Sequence, residues 1–406
     1  MTISVKHTPL ALLVLGMCIM VGCKENPPAS LYQDKPAVGP TLTSLSPNDS
    51  ALAGVSTVII TGSGFSPVRE YNFVNFGSKA ANVLEATTTQ LKVTAPIFVS
   101  DSTPVKVAVQ GQELFSNAIA YKLKAAVAQF GVLANTVEEP YGITCDTAGN
   151  VYVSLLTGGG TGLGVKKITG AGVRSDYSPV FSSSVNKWTS MKLGPGGFLY
   201  TAANRNAIFR IPAGGGNSAP WASVAAANVT FVYDFDFDQQ GNIWGGGDNQ
   251  NIVRVAQDRS VKGFPFAGDV RGVRYFQNYL YLATKNDTMW NVWRTRIVSP
   301  DSIGTPELYI NFTSKFGSLA GAYSLTFAAD GDMFVGTDSV AGSLAVIHPD
   351  KSAERFYPGL FSGKIQSMAY GKGTELYLSR TGSTDALKKM LRVNTQKQGA
   401  PYYGRQ

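Results

Sequence analysis

Histidine is nearly missing from this chain. Two occur in 406 residues, His7 and His348, and His7 falls in a leader-like N-terminal segment. A histidine-built zinc site or a histidine general base is therefore poorly supplied. Cysteine is almost as scarce, with three copies. Cys18 lies in the N-terminal apolar run, and Cys145 lies in an apolar strand, where a buried thiol is the plain reading. No Ser-His-Asp or Cys-His set can be assembled from what is left. Concentrated basic charge is also lacking. The net charge is +8, but Lys and Arg are scattered, so the charge bears on solubility rather than on nucleic acid. The apolar run over residues 10–21 is too short to span a bilayer as a helix.

What is abundant points to turns and strands. Forty-four glycines, 20 prolines and frequent aromatics suit an all-β protein, and 406 residues suffice for two or three domains. At the N-terminus, Lys6 and His7 precede a run of signal-peptide length that ends in Met20-Val21-Gly22-Cys23. This resembles a bacterial lipobox. The resemblance implies a lipoprotein signal peptide over 1–22 and lipidation (palmitate included) of Cys23, where several acyl chains anchor stably. Lys24-Glu25-Asn26 resembles the export signal of surface lipoproteins in Bacteroidota-like bacteria, which implies an outer-membrane, exterior-facing address. Residues 23–38 are polar and contain proline. They read as a flexible tether reaching at most about 50 Å. Six Asp-Ser/Thr sites resemble that phylum's O-glycosylation sequon, at Ser50, Ser102, Thr147, Thr288, Ser302 and Ser339.

Residues 39–124 carry short alternating segments such as Val58-Ile59-Ile60-Thr61 and Val105-Lys106-Val107-Ala108-Val109, punctuated by glycine turns. Six or seven strands in this length predict an immunoglobulin-like β-sandwich with no disulfide, and residues 49–54 read as a turn. The order of segments resembles the IPT/TIG family, whose members serve as spacers or interaction modules.

From residue 125 to 406 a repeat takes over. Tyr152, Tyr200, Trp244, Tyr281, Phe334 and Tyr377 recur about every 45 residues, each after a turn such as Asp146-Thr147-Ala148-Gly149-Asn150. Six copies of four strands predict a six-bladed β-propeller. The pattern Pro140-Tyr141-Gly142-Ile143, Asp146, Gly149-Asn150, Tyr152 resembles the NHL repeat. The fourth copy, 271–282, lacks the Asp-Gly turn. Residues 127–132 look like an outer strand placed ahead of the first copy, and are expected to close the ring on the last blade.

Alternation along each inner strand separates two faces. Ile143, Cys145, Met191, Leu193, Phe235, Phe237, Val273, Tyr275, Leu325, Phe327, Met368 and Tyr370 should pack between blades. The small or polar set should face the central channel. There Lys192, Asp236 and Arg274 fall at equivalent positions in successive copies, with Asp234 beside them. They read as an ion network lining a wet channel, or as a ligand or ion site within it. At the rim, the candidate ligand contacts are Tyr141, Trp188 (or Thr189), Tyr233, Arg271, Tyr323 and Gln366, with Trp290 in a loop beyond. Aromatics amid amides and charges suit sugars, although the three tyrosines share parity with the core and could simply cap it.

The whole resembles Bacteroidota surface lipoproteins that join an IPT/TIG domain to an NHL-repeat propeller. That resemblance implies a non-catalytic accessory protein of a SusC/SusD-type, TonB-dependent uptake system, with a transporter partner, a glycan or peptide ligand and no cofactor. Two alternatives stay open. One is a gluconolactonase-like metal-dependent hydrolase or lyase, for which Asp234, Asp236, Asp248 or Asn204 would supply a calcium site. The other is a scaffold that docks outer-membrane proteins.

Overall fold

The computed structural model describes residues 39–131, 137–318 and 320–403. Cys23 and the segments expected to be a signal peptide (1–22) and a tether (23–38) lie outside the described residues.

The N-terminal unit is a sandwich because its apolar residues alternate. Val58, Ile60, Leu91, Val93, Val105 and Val107 all point inward and are fully buried, while their neighbours face solvent. One hydrogen-bonded path runs Thr41–Ser46, Thr57–Ser63, Gln90–Thr94, Lys79–Ala86, Asn72–Phe76, Ser100–Val109, Ile119–Lys124 and Ser50–Leu52. Lys79–Ala86 pairs on both sides and so carries the path from one layer to the other. That is eight strands rather than six or seven. The addition is Ser50–Leu52, read from the sequence as turn, which pairs in parallel with Ile119–Lys124.

The remainder is a propeller-like ring. Its innermost strands touch in cyclic order: Glu138–Cys145, Ser190–Leu193, Asp234–Phe237, Val261–Phe276, Ser324–Phe327, Lys364–Tyr370, and back to the first. Each hairpin turn is built by local chemistry. Asp238 Oδ1 accepts from the Asn242 backbone N–H at 2.9 Å, and Oδ2 accepts from the Asn242 side-chain amide and the Trp244 indole, each at 2.9 Å. Asp146 does the same for Asn150 (2.8 and 2.7 Å) and for the Tyr152 hydroxyl (3.0 Å). An aspartate with an amide four residues on and an aromatic six residues on therefore closes the turn and anchors the next strand. All six repeat-marking aromatics are buried.

The expected six separate blades are not what the sheets show. Four discrete four-stranded sheets begin at Glu138, Ser190, Ser324 and Lys364, and a single continuous sheet occupies residues 234–311. The cause is Val261–Phe276, 16 residues long. Its first half pairs with Asp248–Val255 and its second half with Tyr279–Asn286, with a register shift between Val270 and Gly272. No loop separates the outer strand of one set from the inner strand of the next. The turn after it, where Asp-Gly was missing, is Gln277-Asn278 with φ of 49° and 64°. Both residues are left-handed, as a two-residue type I′ hairpin requires. Val127–Gln129 pairs with Lys389–Asn394 and completes the last sheet, the closure expected from the sequence.

Candidate functional site

The channel inside the ring is filled by charge and closed at one end. Lys192 Nζ lies 3.5 Å from Asp234 Oδ1, and Arg274 Nη1 lies 3.6 Å from Asp236 Oδ2. Both carboxylates also reach the neighbouring strand: Val273 N–H donates to Asp234 Oδ2 at 2.8 Å, and Tyr275 N–H donates to the same Asp236 Oδ2 that faces Arg274, at 3.0 Å. Arg274 Nη2 also donates across the ring to the Met368 carbonyl at 3.2 Å. Burial pushes the Asp236 carboxyl up and the Lys192 ammonium down from their ordinary values; the oppositely charged neighbours oppose each shift, while Arg274 adds to that of Lys192. The four charged residues expected to share the channel do stand together. They leave little room: the cavity lined by Thr144, Lys192, Asp236, Arg274 and Tyr402 measures about 20 Å³, enough for a water molecule.

The C-terminal tail forms the plug below them. Ala400 N–H donates to the Phe327 carbonyl at 2.9 Å. Tyr402 places its ring 5.4 Å from the Arg274 guanidinium, bonds the Thr326 hydroxyl, and donates to the Phe327 carbonyl at 3.2 Å. Tyr403 packs on Phe237 at 5.3 Å. Sequence reasoning missed this because residues 395–403 carry no trace of the repeat.

The opposite end, where the inner strands begin, is a shallow cup with a floor. Gln366 Nε2 donates to the Tyr233 hydroxyl at 2.6 Å, joining the last sheet to the continuous one across the ring. Thr189 Oγ1 donates to the Tyr233 carbonyl at 2.8 Å. Around this floor, three tyrosines each lie under a cation. Lys187 Nζ is 3.9 Å from the Tyr141 ring centre, Arg271 is 4.9 Å from that of Tyr233, and Lys364 Nζ is 3.8 Å from that of Tyr323. Arg271 Nε also bonds Asp269 Oδ2 at 2.9 Å. Asp338 accepts from the Tyr323 hydroxyl and from the Gly321 N–H, both at 2.8 Å. Burial holds both lysines below their ordinary value. For Lys364, Arg271 and Lys187 add to the depression, while Asp338 and Glu139 oppose it, so these groups share one electrostatic neighbourhood. Burial, then Glu139, pushes the Tyr141 hydroxyl up to about 12. The phenols therefore stay protonated and serve as hydrogen-bonding groups.

Tyr141, Tyr233, Arg271, Tyr323 and Gln366 thus gather at this end, with Gln366 in the floor. The two tryptophans are corrected. Trp188 is 2% exposed, wedged between Phe209 and Phe181 at 5.2 and 6.3 Å. It is core: two residues ahead of the strand that begins at Ser190, its indole packs inward on these rings. Trp290 is 6% exposed and packs behind Tyr323 at 4.8 Å. The sequence reading also missed Lys187, Lys364 and Asp269, and Glu139 stands with them. A signal was present: each lies three residues before a channel-facing position (Ser190, Ser367, Gly142 and Gly272). A rim read one residue ahead of those positions passes over them.

Other sequence candidates lie elsewhere. Cys145 packs between sheets, with Sγ 4.0 Å from the Ala369 carbonyl. His348 Nδ1 sits 2.9 Å from Asp332 Oδ1 beyond the third strand of its sheet. Among the described residues, no group of three or more His, Cys, Asp or Glu is placed to hold a metal ion. Ser339 is buried and receives a 2.7 Å bond from Arg355, so its hydroxyl is not open to glycosylation, whereas Ser102, Thr147, Thr288 and Ser302 are exposed. A groove of about 670 Å³ on the sandwich, lined by Arg69, Phe73 and Val83 among others, has an exposed Arg69–Glu70 pair.

Residues 40–123 match the family model of the IPT/TIG domain. No curated protein matches the chain. Among solved structures, a candidate phosphatase from Bacteroides thetaiotaomicron VPI-5482 aligns with TM-score 0.58 at 10% identity, over 89% of this chain and 98% of that one. A protein of unknown function from the same organism aligns with TM-score 0.52 at 14% identity, over 89% and 100%. An auxiliary nutrient binding protein from Bacteroides ovatus ATCC 8483 aligns with TM-score 0.51 at 11% identity, over 88% and 98%. At these identities the likeness is one of fold: an IPT/TIG domain followed by a propeller-like ring.

Proposed function

We propose that this protein is a non-catalytic, nutrient-binding accessory protein that captures a glycan at the cup of its propeller. The observation that carries the reading is the trio of tyrosines, each paired with a cation, around a floor sealed by Tyr233 and Gln366. Such a cup offers flat rings and polar tips to a ligand but no route through the ring. The auxiliary nutrient binding protein that shares the fold along nearly its whole length supports the same role. On this reading, Cys23 is lipidated and holds the protein on the outer membrane, facing out, beside a SusC/SusD-type TonB-dependent transporter. The IPT/TIG domain then stands as a spacer, and the continuous sheet counts as two blades fused through Val261–Phe276, completing a six-bladed NHL-like ring.

A neighbour described as a candidate phosphatase makes turnover the competing reading. Calorimetric titration against oligosaccharides and peptides, with a p-nitrophenyl phosphate assay alongside, separates the two. Saturable glycan binding weakened by Tyr141→Ala and Arg271→Ala is expected. Turnover that those variants abolish would sink the non-catalytic reading.

A further inference from the structure

The cup's charges are not all committed in the same way. Asp338 is held by the Gly321 N–H and the Tyr323 hydroxyl. Asp269 is paired with Arg271. Glu139 interacts with Tyr141. Arg271 is thereby occupied as well. Lys187 and Lys364 differ from it. Neither has a carboxylate within ion-pair distance among the described residues, and each rests on a tyrosine face instead. A ring face attracts an ammonium without neutralising it. Two half-buried positive charges therefore flank the first sheet on either side of Tyr141. Partial burial makes an incoming anion worth more there than at a freely solvated lysine. The protonated phenols of Tyr141, Tyr233 and Tyr323 add hydroxyl-reading groups, which a bare inorganic anion would leave unused.

We infer that the cup selects an acidic saccharide, one carrying carboxylate groups, with Lys187 and Lys364 as the residues that hold the acid. This rests on the capture reading above and names its ligand class. Neutral glycans would stack but leave both ammoniums unpaired. An acidic peptide would satisfy the lysines but not the sugar-reading phenols.

The test is calorimetry on the full mature chain with uronate oligosaccharides (galacturonate, mannuronate and glucuronate-bearing xylan), each beside its methyl ester. Neutral cello- and manno-oligosaccharides and a polyglutamate peptide complete the set. At least one uronate should bind, and its methyl ester should bind roughly tenfold or more weakly, the scale of a charge-assisted hydrogen bond. Lys187→Met/Lys364→Met should lose the same factor, and Lys187→Arg/Lys364→Arg should retain most of the affinity. Thermal melts must show all variants folded. Esters that bind as tightly as acids, a Met pair that binds like the wild type, or binding by neutral sugars alone would overturn the acidic class and leave capture standing. Polyglutamate binding as tightly as any uronate would overturn the saccharide. Silence from the entire panel would overturn capture itself.

Discussion

Replacing Arg274 by Met would remove the guanidinium that faces Asp236 inside the ring. The two side chains are 4% and 2% exposed as residues, with Nη1 3.6 Å from Oδ2. At an effective dielectric of about 20, unit charges at that separation attract by about 4–5 kcal/mol. Measured losses on breaking one side of a buried pair run to about 3–5 kcal/mol, because the remaining charge is stranded. Asp236 keeps three smaller supports, the field of Lys192, the Tyr275 N–H at 3.0 Å and the Phe237 backbone. The expected cost is therefore about 3 kcal/mol. Asp236→Leu, which leaves Arg274 with the Met368 carbonyl, the Tyr402 ring and the field of Asp234, should cost a similar amount. The double variant should cost clearly less than the sum, leaving an interaction of about 2 kcal/mol or more. Urea unfolding followed by tryptophan emission is the suitable assay. All five tryptophans (188, 221, 244, 290 and 293) lie in the propeller, so the signal reports that unit apart from the sandwich. Single variants within about 1 kcal/mol of wild type, or costs that simply add, would refute the pairing as the feature that fixes the channel.

Asp238→Ala should destabilise the propeller by about 2–4 kcal/mol, since it strands the fully buried Trp244 indole N–H and the Asn242 amide. Asp146→Ala, whose turn is half exposed, should cost about half as much in the same urea assay. Tyr402→Ala should cost about 2–3 kcal/mol and open the channel base, seen as faster hydrogen exchange at residues 326–328; unchanged exchange would mean the tail is not the plug. Trp188→Ala should lower stability by about 3–5 kcal/mol as a core truncation, while ligand affinity measured on the folded fraction stays unchanged. Uronate affinity should be flat near neutral pH and fall on the alkaline side before the ordinary lysine value of 10.5. The sign follows because binding needs both ammoniums charged, and burial has lowered the pH at which they lose their protons. The groups facing them are Glu139 and Tyr141 at Lys187, and Asp338, Arg271, Lys187, Glu139 and Tyr323 at Lys364. Titration of affinity from pH 7 to 10 checks this, and constant affinity across that range would refute it.

The sequence by itself determined what repeats. Alternation of apolar residues decides which face of Thr57–Ser63 or Asp234–Phe237 turns inward, because successive side chains leave opposite faces of a strand. The Asp146–Asn150–Tyr152 and Asp238–Asn242–Trp244 spacings set their hairpins, because every partner lies within six residues. The meeting of Lys192, Asp236 and Arg274 was legible for a related reason: equivalent positions in a ring converge on its axis. Tertiary structure decided the rest. Tyr233 meets Gln366 across 133 residues of chain, and Tyr402 meets Thr326 across 76, with no local pattern to announce either. The single strand Val261–Phe276 joins two strand sets because its two halves find different neighbours. At the cup, the sequence placed the tyrosines, but only the assembled ring set a cation over each. Lys187 on Tyr141 and Lys364 on Tyr323 are contacts between sheets, Arg271 on Tyr233 joins two strands of the continuous one, and the chemistry differs from copy to copy where the scaffold stays the same.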